Sequence, residues 1–514
     1  MTDAKPRHPE QRHLDKAHVL KLAASMGLED YDSLLKFSIE HPDIYWQGAI
    51  DYLGIRWDTP PEGYVDLSRG KEFPQWFPGG RLNWVNTVLA FGDDFGTASQ
   101  LALVAEDEDG RVNTATFAEL KEKVRRFASG LRSVGISRGD RVGLLCDNGV
   151  EATVSVLALS AIGAIVVPLF SGFGQEAVIS RLKPSGARAI IATTGFSRRG
   201  NYVDMQPVVR SVAQALPSLE TIIWKCAPGV DTPANGVNWN DLVATKDDGK
   251  PVEIMGSMDP FMVIFTSGTT GKPKGPVHTH GGCPLRMAHD SAVHFNVSSG
   301  DTFCWPADMG WIAGMLVPAS ALMRGATLVL YNGAPDYPDW SRMSKLIEDH
   351  KITHYGSSPT LIRGLAANES LALKHDLSSV ELLITAGEVI DREHFVWFQD
   401  HFAPRHPADQ LYRRHRGFGR TACQRTGQAD RAGRVQHRGP GHRRGRDRRC
   451  RHPCRGRDWR IGDPGALSRH DRLVLAGRCA LPRLLLVDHP RRLGAWRPRP
   501  EEPRWLLPDD GPLG

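Results

Sequence analysis

Residues 266–275, with the sequence TSGTTGKPKG, carry side chains suited to binding a polyphosphate. Three glycines let backbone N–H groups converge on phosphate oxygens, and four hydroxyl side chains add further donors. Lys272 and Lys274 add positive charge. A flexible polar surface loop is the alternative interpretation. Ten consecutive residues of this kind after an apolar run favour the polyphosphate site, whereas a bare GxxG motif would be weak evidence.

This segment differs from the Walker A loop of P-loop nucleotidases. Walker A requires GxxxxGK[ST], and Gly268 and Gly271 lie too close together to satisfy it. Pro273 also prevents Lys272 from opening a helix in the usual way. A P-loop kinase or ATPase is therefore disfavoured.

The segments around this loop predict an α/β fold. The apolar run at 261–265 predicts a buried strand that leads into the loop. Apolar residues spaced on one helix face predict a helix over 116–134. Further strands are predicted at 141–146, 164–168 and 189–192, and further helices near 150–162, 175–183 and 204–215. Repeated βαβ units imply a mainly parallel sheet flanked by helices.

Residues 152–174 carry no charge over 23 residues and are long enough to span a membrane. We interpret them as a buried helix followed by a buried strand, because Gly163 interrupts the stretch and Pro168 ends it. The N-terminus has no apolar segment typical of a secretory signal, so a cytoplasmic location is expected. The scattered Cys146, Cys226, Cys283 and Cys304 predict reduced thiols. Residues 30–80, rich in Trp, Pro and Gly, predict an extended segment laid over the core.

Several motifs in order along the chain resemble those of one family, the AMP-forming acyl-CoA synthetases of the adenylate-forming superfamily, most of all its acetyl-CoA synthetase-like branch. The resemblance covers residues 30–400 approximately. Besides the 266–275 loop and the Val-His-Thr that follows at 277–279, it includes ADMGWI at 307–312, NGAP at 332–335, SPT at 358–360 and AGE at 386–388. It implies an adenylate-forming N-terminal domain and the ATP-dependent activation of a carboxylic acid, with transfer to coenzyme A.

The resemblance also implies roles for individual residues. ATP, Mg²⁺ and coenzyme A are the implied cofactors or co-substrates, and a small carboxylic acid is the substrate. Thr266 and Lys272 are the implied catalytic residues, and no protein ligand to a metal is predicted. The implied nucleotide-binding residues are Thr266, Ser267, Gly268, Thr269, Thr270, Gly271, Lys272, Lys274, Gly387, Glu388 and Val389.

Trp311, Ile312, Ala313 and Ala386 are the residues that the resemblance places around the acyl group. Two of the named positions depart from the family pattern: Val389 stands where proline is usual, and Ala313 stands where a hydroxyl is frequent. Taken alone, Trp311 could equally be a core aromatic residue. Glu388 alone would more often be a solvated charge.

The charge distribution divides the chain. Residues 1–400 hold 16 Lys and 21 Arg against 47 acidic residues, whereas residues 401–514 hold 27 Arg and no Lys against 11 acidic residues. Selection for surface solubility does not remove every Lys while it enriches Arg, since both serve that purpose. A basic nucleic-acid-binding tail is one explanation, and a metal site at Cys450, His452 and Cys454 is another.

An out-of-frame translation of a GC-rich gene explains the tail better. Read from the second base of the Gln410 codon, the possible codons of residues 410–421 are compatible with the family-like segment NYTGGTEVSGG. Residues 480–497 and 502–513 permit two further family segments in the same frame and order. Residues 405–514 are therefore expected to be disordered or misfolded, and no nucleic-acid partner is expected.

These observations predict three regions: a cover segment at 1–80, an incomplete AMP-binding core at 81–404, and the Arg-rich tail at 405–514. The family's mobile C-terminal domain is expected to be absent. Because the shifted segments are where the family keeps residues for Mg²⁺ and ribose, the chain as written is predicted to be inactive. A nucleotide-binding module with a basic nucleic-acid-binding tail is the alternative function. No protein partner is predicted.

Overall fold

The computed structural model describes residues 11–70, 72–266, 273–403, 408–411 and 421–422. The helices of these residues are α1 Gln11–Lys16, α2 His18–Ser25, α3 Tyr31–Glu40, α4 Pro42–Leu53, α5 Trp84–Leu89, α6 Phe117–Ser133, α7 Val150–Ala161, α8 Gln175–Ser185, α9 Gln206–Ala215, α10 Trp239–Val243, α11 Cys283–Val293, α12 Ile312–Leu322, α13 Arg342–His350, α14 Pro359–Ala367, α15 Glu369–Ala372 and α16 Arg392–Phe402, with a short 3₁₀ turn at Ala90–Gly92.

The strands are β1 Val65–Asp66, β2 Gln75–Trp76, β3 Arg81–Leu82, β4 Leu101–Asp107, β5 Val112–Thr116, β6 Arg141–Leu145, β7 Ile165–Pro168, β8 Ala189–Thr193, β9 Gly195–Arg198, β10 Asn201–Asp204, β11 Thr221–Lys225, β12 Val237–Asn238, β13 Met255–Gly256, β14 Pro260–Val263, β15 Val277–Thr279, β16 Thr302–Cys304, β17 Thr327–Asn332, β18 His354–Ser357, β19 Leu382–Thr385, β20 Ala408–Leu411 and β21 Thr421–Ala422.

Two large sheets organise these strands. The seven-stranded sheet has the order β12-β11-β8-β6-β7-β14-β15, and all its pairs are parallel except β14 with β15. The eight-stranded sheet has the order β21-β20-β19-β18-β16-β17-β4-β5 and is antiparallel only at its two ends. The prediction of mainly parallel sheets flanked by helices is confirmed.

Both faces of the seven-stranded sheet are buried. Val166 and Ile191 belong to one apolar cluster, together with residues of α6 and α7, whereas the adjacent Val167 and Ile190 belong to another, with residues of α8 and α9. Successive side chains of a strand point to opposite faces, so helices must cover each face. This explains why these strands read as continuous apolar runs in the sequence.

The uncharged stretch at 152–174 contains all of helix α7 after Glu151 and all of strand β7, as predicted. Every residue of α7 except Glu151 is buried. No helix among the described residues is both long enough and apolar enough to cross a bilayer. Cys146, Cys226, Cys283 and Cys304 are free, as predicted.

The prediction that residues 30–80 are extended is wrong for their first part, which forms helices α3 and α4. Asp30 caps α3 by accepting a hydrogen bond from the Ser33 N–H at 2.8 Å, and Ser33 completes a capping box. Pro42 opens α4, and Gly54 ends it with a φ of 64°. These signals were present in the sequence but were outweighed by the density of Trp, Pro and Gly.

Candidate active site

Four parallel strands of the eight-stranded sheet end side by side: β17, β16, β18 and β19. The segments that follow them, at 305–311, 333–335, 358–360 and 386–388, carry the four motifs singled out in the sequence. Parallel strands bring their carboxyl ends to one edge, which is where open α/β sheets bind ligands. The topology therefore gathers motifs that are separated by up to 80 residues.

The polar loop leaves the carboxyl end of β14 in the seven-stranded sheet, beside β7. Its base is closed by an antiparallel bridge between Thr266 and Lys274: the Thr266 N–H donates to the Lys274 carbonyl at 2.8 Å, and the reverse bond measures 3.2 Å. Both residues are half-buried. The predicted ligands Ser267, Gly268, Thr269, Thr270, Gly271 and Lys272 lie outside the described residues, and their roles stay predictions.

The 307–311 turn connects the two sheets. Asp308 accepts hydrogen bonds from the Ser171 hydroxyl at 2.5 Å and from the Gly310 N–H at 2.7 Å. Burial raises the pKa of Asp308 above its usual range, and these two donors partly offset the rise. A Cβ on Gly310 would lie 2.0 Å from the Phe170 nitrogen, so only glycine permits this contact.

The three predicted acyl-pocket residues at 311–313 lie where helix α12 begins. Trp311 precedes the first turn of the helix and is 55% exposed, with its ring 5.6 Å from that of Phe170. Ile312 and Ala313 are half-buried, and so is Ala386, which follows β19. Trp311 is therefore not a core aromatic residue: it presents a large apolar surface beside the edge where the motifs meet.

The 386–388 turn is held by helix α14. Gly387 has a φ of 109°, a conformation that side chains disfavour, and a Cβ there would meet open space. Glu388 accepts hydrogen bonds from the Thr360 hydroxyl and, at 2.8 Å, from Arg363. The Thr360 hydrogen bond and the Arg363 charge lower the pKa of Glu388. Val389 is 57% exposed.

Sequence reasoning quoted Thr360 as part of a motif but did not predict that it contacts Glu388, and it missed Arg363 altogether. The two residues lie one helical turn apart on α14, and Glu388 follows a different strand. No local pattern in the sequence links these positions. The pairing is a consequence of the parallel neighbours β18 and β19.

A buried ion pair links the ends of β6 and β11 to the end of β17. The ammonium of Lys225, the last residue of β11, lies 2.5 Å from an oxygen of Asp147, and the Asn332 amide donates to the same oxygen at 2.6 Å. Burial alone would lower the pKa of Lys225, but the Asp147 charge raises it above its ordinary value. The contact joins the two sheets, because Asp147 and Lys225 belong to one and Asn332 to the other.

His289, Asp290 and His294 offer possible metal-ligating atoms within 4.8 Å of one another, on and just after helix α11. Arg286 already donates to Asp290 at 2.9 Å, and the Tyr45 hydroxyl lies 2.7 Å from His289 Nε2. A divalent cation would add positive charge to a buried carboxylate that is already paired with a guanidinium. The cluster is therefore read as a hydrogen-bond network that holds α4 against α11.

The described residues form a two-sheet α/β protein in which the Thr266–Lys274 bridge and the 307–311, 358–360 and 386–388 segments follow the carboxyl ends of strands. Residues 96–413 match the family model described as AMP-binding enzyme. Residues 31–87 match the model described as Acetyl-coenzyme A synthetase N-terminus. The chain belongs to the AMP-binding enzyme family, and the family prediction made from the motifs is confirmed.

Individual relatives agree with this assignment. The chain is 34% identical to the acetyl-coenzyme A synthetase of Chromobacterium violaceum over 390 residues, which cover 74% of this chain and 58% of that protein. It is 32% identical to the acetyl-coenzyme A synthetase of Chlorobaculum tepidum, covering 72% and 57%. The structure of the acetoacetyl-CoA synthetase from Streptomyces lividans matches with a TM-score of 0.74 and 25% identity, covering 79% of this chain and 64% of that one. The chain thus spans less than two thirds of these relatives.

Proposed function

We propose that this chain serves the ATP-dependent activation of a small carboxylic acid and its transfer to coenzyme A. A carboxylate oxygen attacks the α-phosphorus of ATP, pyrophosphate leaves, and an acyl-adenylate forms. The thiol of coenzyme A then attacks the acyl carbon, AMP leaves, and the thiol proton passes to solvent. The observation that carries this proposal is that the Thr266–Lys274 bridge follows β14, whose neighbour β7 leads into the Phe170–Ser171 segment that contacts the 307–311 turn.

The first step requires alignment rather than a general base. A carboxylic acid is already ionised at neutral pH, so it is a nucleophile without proton removal. The barrier comes from bringing two anions together and from the charge that develops on the departing pyrophosphate. Lys272, Lys274 and the loop hydroxyls are the residues we propose for that charge. ATP enters as its magnesium complex, and the Thr266 hydroxyl is proposed to hold the phosphates whose oxygens would bind Mg²⁺.

Gly387, Glu388 and Val389 are proposed to border the adenine, and Trp311, Ile312, Ala313 and Ala386 to border the acyl group. The exposure of Trp311 supports the second proposal, since an apolar ring beside a ligand edge can select acids by volume. Such a contact discriminates by about 1–3 kcal/mol for each methylene. We propose a cytoplasmic location because the four cysteines among the described residues are free thiols, and disulfides are rare in the cytosol.

Exchange of labelled pyrophosphate into ATP, measured on the full chain with acetate, propionate and butyrate in turn, tests the activation step. We expect acid-dependent exchange that Thr266→Val lowers at least about tenfold, because an oriented donor near developing charge is worth that much. Thr279→Val is the matched control: this residue lies on the same hairpin, and its hydroxyl has no partner in the described part of the chain. Wild-type chain that binds no ATP and exchanges no pyrophosphate with any acid contradicts the proposal.

The predicted inactivity and the predicted misfolding of the tail concern residues 405–514, nearly all of which lie outside the described residues. The comparisons support neither inactivity nor the alternative of a nucleic-acid-binding tail, and both remain sequence-based expectations that compete with the activity proposed here. The exchange assay tests inactivity directly. Nucleic-acid affinity that falls steeply with salt would favour the alternative. The division at residues 80 and 404 also stays a proposal, which the family matches at 31–87 and 96–413 support.

A further inference from the structure

Asn148 follows strand β6 and uses its whole side-chain amide on backbone groups. Its Nδ2 donates to the carbonyl of Ala307 at 3.0 Å and to that of Tyr331 at 3.1 Å. Its Oδ1 accepts from the Met309 N–H at 3.2 Å. An amide offers two donor hydrogens and an acceptor oxygen, so this set of contacts suits asparagine and no carboxylate.

These three contacts tie together parts of the molecule that are remote in sequence. Asn148 comes from the seven-stranded sheet, Tyr331 lies in β17 of the eight-stranded sheet, and Ala307 and Met309 lie in the turn that leads to Trp311. The neighbouring Asp147 holds Asn332, the residue after Tyr331. Asp147 and Asn148, the second and third residues after β6, therefore fix the end of β17 and the 307–311 turn at once.

The other contacts of the 307–311 turn do not link it to β17, whereas Asn148 does. Ser171 fixes Asp308, and Phe170 packs closely on Gly310, so the turn is held against the segment after β7. Within the described residues, the side-chain amide of Asn148 bonds both to this turn and to the end of β17. It sets the turn relative to the edge where the motifs gather.

We propose that Asn148 is a positioning residue for the acid substrate. It touches no reacting atom: it holds the 307–311 turn and so places Trp311 and the start of α12 beside Phe170, at the edge where the motifs gather. This inference rests on the proposed function, because it assigns the acid to the surface around Trp311. Reactant placement is sensitive to small displacements, and a shift of about 1 Å can cost about a hundredfold in rate.

The test variant is Asn148→Asp, which keeps the shape and the acceptor for Met309 but replaces the Nδ2 that donates to both carbonyls with an oxygen that faces them. The matched control is Asn83→Asp. Asn83 donates to the carbonyls of Ser160 at 2.7 Å and Glu253 at 3.1 Å, and accepts from the Val85 N–H at 3.3 Å. Ser160 lies near the end of α7, whereas Asn148 lies just before its start, so the control probes the opposite edge of the sheet.

Two readouts are needed on the full chain. The first is the ¹⁹F NMR resonance of Trp311 in 5-fluorotryptophan-labelled protein, assigned by its loss in Trp311→Phe. The second is the pyrophosphate-exchange KM for the acid and for ATP. We expect Asn148→Asp to shift the Trp311 resonance and to raise the acid KM at least about tenfold, with the ATP KM changed less than about twofold. Asn83→Asp is expected to change neither, although both variants lose stability.

The outcomes separate the two proposals. An unchanged Trp311 resonance in folded Asn148→Asp overturns the positioning role, whatever the activity. Equal rises in the acid and ATP KM, or the same changes in Asn83→Asp, also overturn it, because they indicate general loosening. Wild-type chain without exchange for any acid counts against the proposed function alone, and the resonance then still decides whether Asn148 sets the place of Trp311.

Discussion

The N-terminal cover on helix α11 and the edge that carries the site both depend on polar contacts, but they use them differently. In the cover, the His18 ring bonds to the half-buried hydroxyls of Tyr52 and Ser298, and the Tyr45 hydroxyl bonds to the buried His289 of α11. Next to His289, Arg286 neutralises Asp290 inside the protein. At the edge, side chains such as Asn148 and Asp308 bond mainly to backbone, while Trp311 and Glu388 stay exposed. A cover that satisfies its own polar groups serves stability, whereas an edge that leaves side chains open can bind a ligand.

The largest expected effect on stability comes from breaking the buried Arg286–Asp290 pair of α11, which lies beneath the cover. Asp290→Asn leaves the Arg286 guanidinium, whose side chain is 13% exposed, without its counter-charge. Removing one partner of a buried pair costs about 3–5 kcal/mol of unfolding free energy. Urea unfolding measures the loss. Asp349→Asn, which removes an exposed pair with Lys345, is the control and should cost less than about 1 kcal/mol. Equal losses in both would show that the cover is not held by this pair.

Gly310→Ala has the next largest expected effect on stability, and it acts at the edge where the motifs gather. The new methyl group would lie 2.0 Å from the Phe170 nitrogen, which belongs to the backbone and cannot turn away. Overpacking costs about 1–3 kcal/mol, and the displaced turn should also lower acid-dependent exchange at least about tenfold.

Gly174→Ala is the control for this substitution: Gly174 has a φ of −73°, and a methyl group there would meet nothing within 4 Å. It should change neither stability nor exchange by a comparable amount. If Gly310→Ala retains wild-type exchange, the 307–311 turn does not position substrate.

The cover should also respond to pH. Burial, with smaller contributions from Arg324 and Lys21, lowers the pKa of His18 from 6.5 to about 4. Between these values the unfolded chain binds the proton and the folded chain does not, so the contribution of His18 to stability is complete above pH 6.5 and is lost as the pH falls towards 4. Urea midpoints from pH 4 to 7 should fall less steeply with acidity in His18→Gln than in wild type. Parallel curves would show that His18 is not the group that titrates.

The smallest expected effect is that of Arg363→Gln. Arg363 and Glu388 have side chains that are 38% and 46% exposed, so losing this pair should change stability by less than about 1 kcal/mol. If Glu388 borders the adenine, ATP affinity should nevertheless fall measurably in equilibrium titration. Arg126→Gln, which removes a comparable exposed pair with Glu122, should leave ATP affinity unchanged. An identical ATP affinity in both variants would show that Glu388 does not contact the nucleotide.

Sequence reasoning predicted the α/β core well, because apolar residues form continuous runs in buried strands and repeat every three to four residues in amphipathic helices. The helix over 116–134 was found as Phe117–Ser133 and the strand at 189–192 as Ala189–Thr193. Sequence reasoning was less accurate for the cover. There the capping residues indicated helices, but the high content of Trp, Pro and Gly favoured an extended segment. The strand at 261–265 was found as Pro260–Val263, since the chain leaves the sheet earlier to enter the loop.

The amino-acid sequence by itself determined the fold class and the family, since local periodicity indicates the fold class and contiguous motifs indicate the family. Only the tertiary structure decided that Asn148 bonds to the turn before Trp311, that Arg363 meets Glu388, and that Asp290 is neutralised by Arg286 beneath the cover. The first two contacts depend on which strands become neighbours, and the third depends on which surfaces are buried. Strand order and burial are properties of the whole chain, so no window of the sequence contains them.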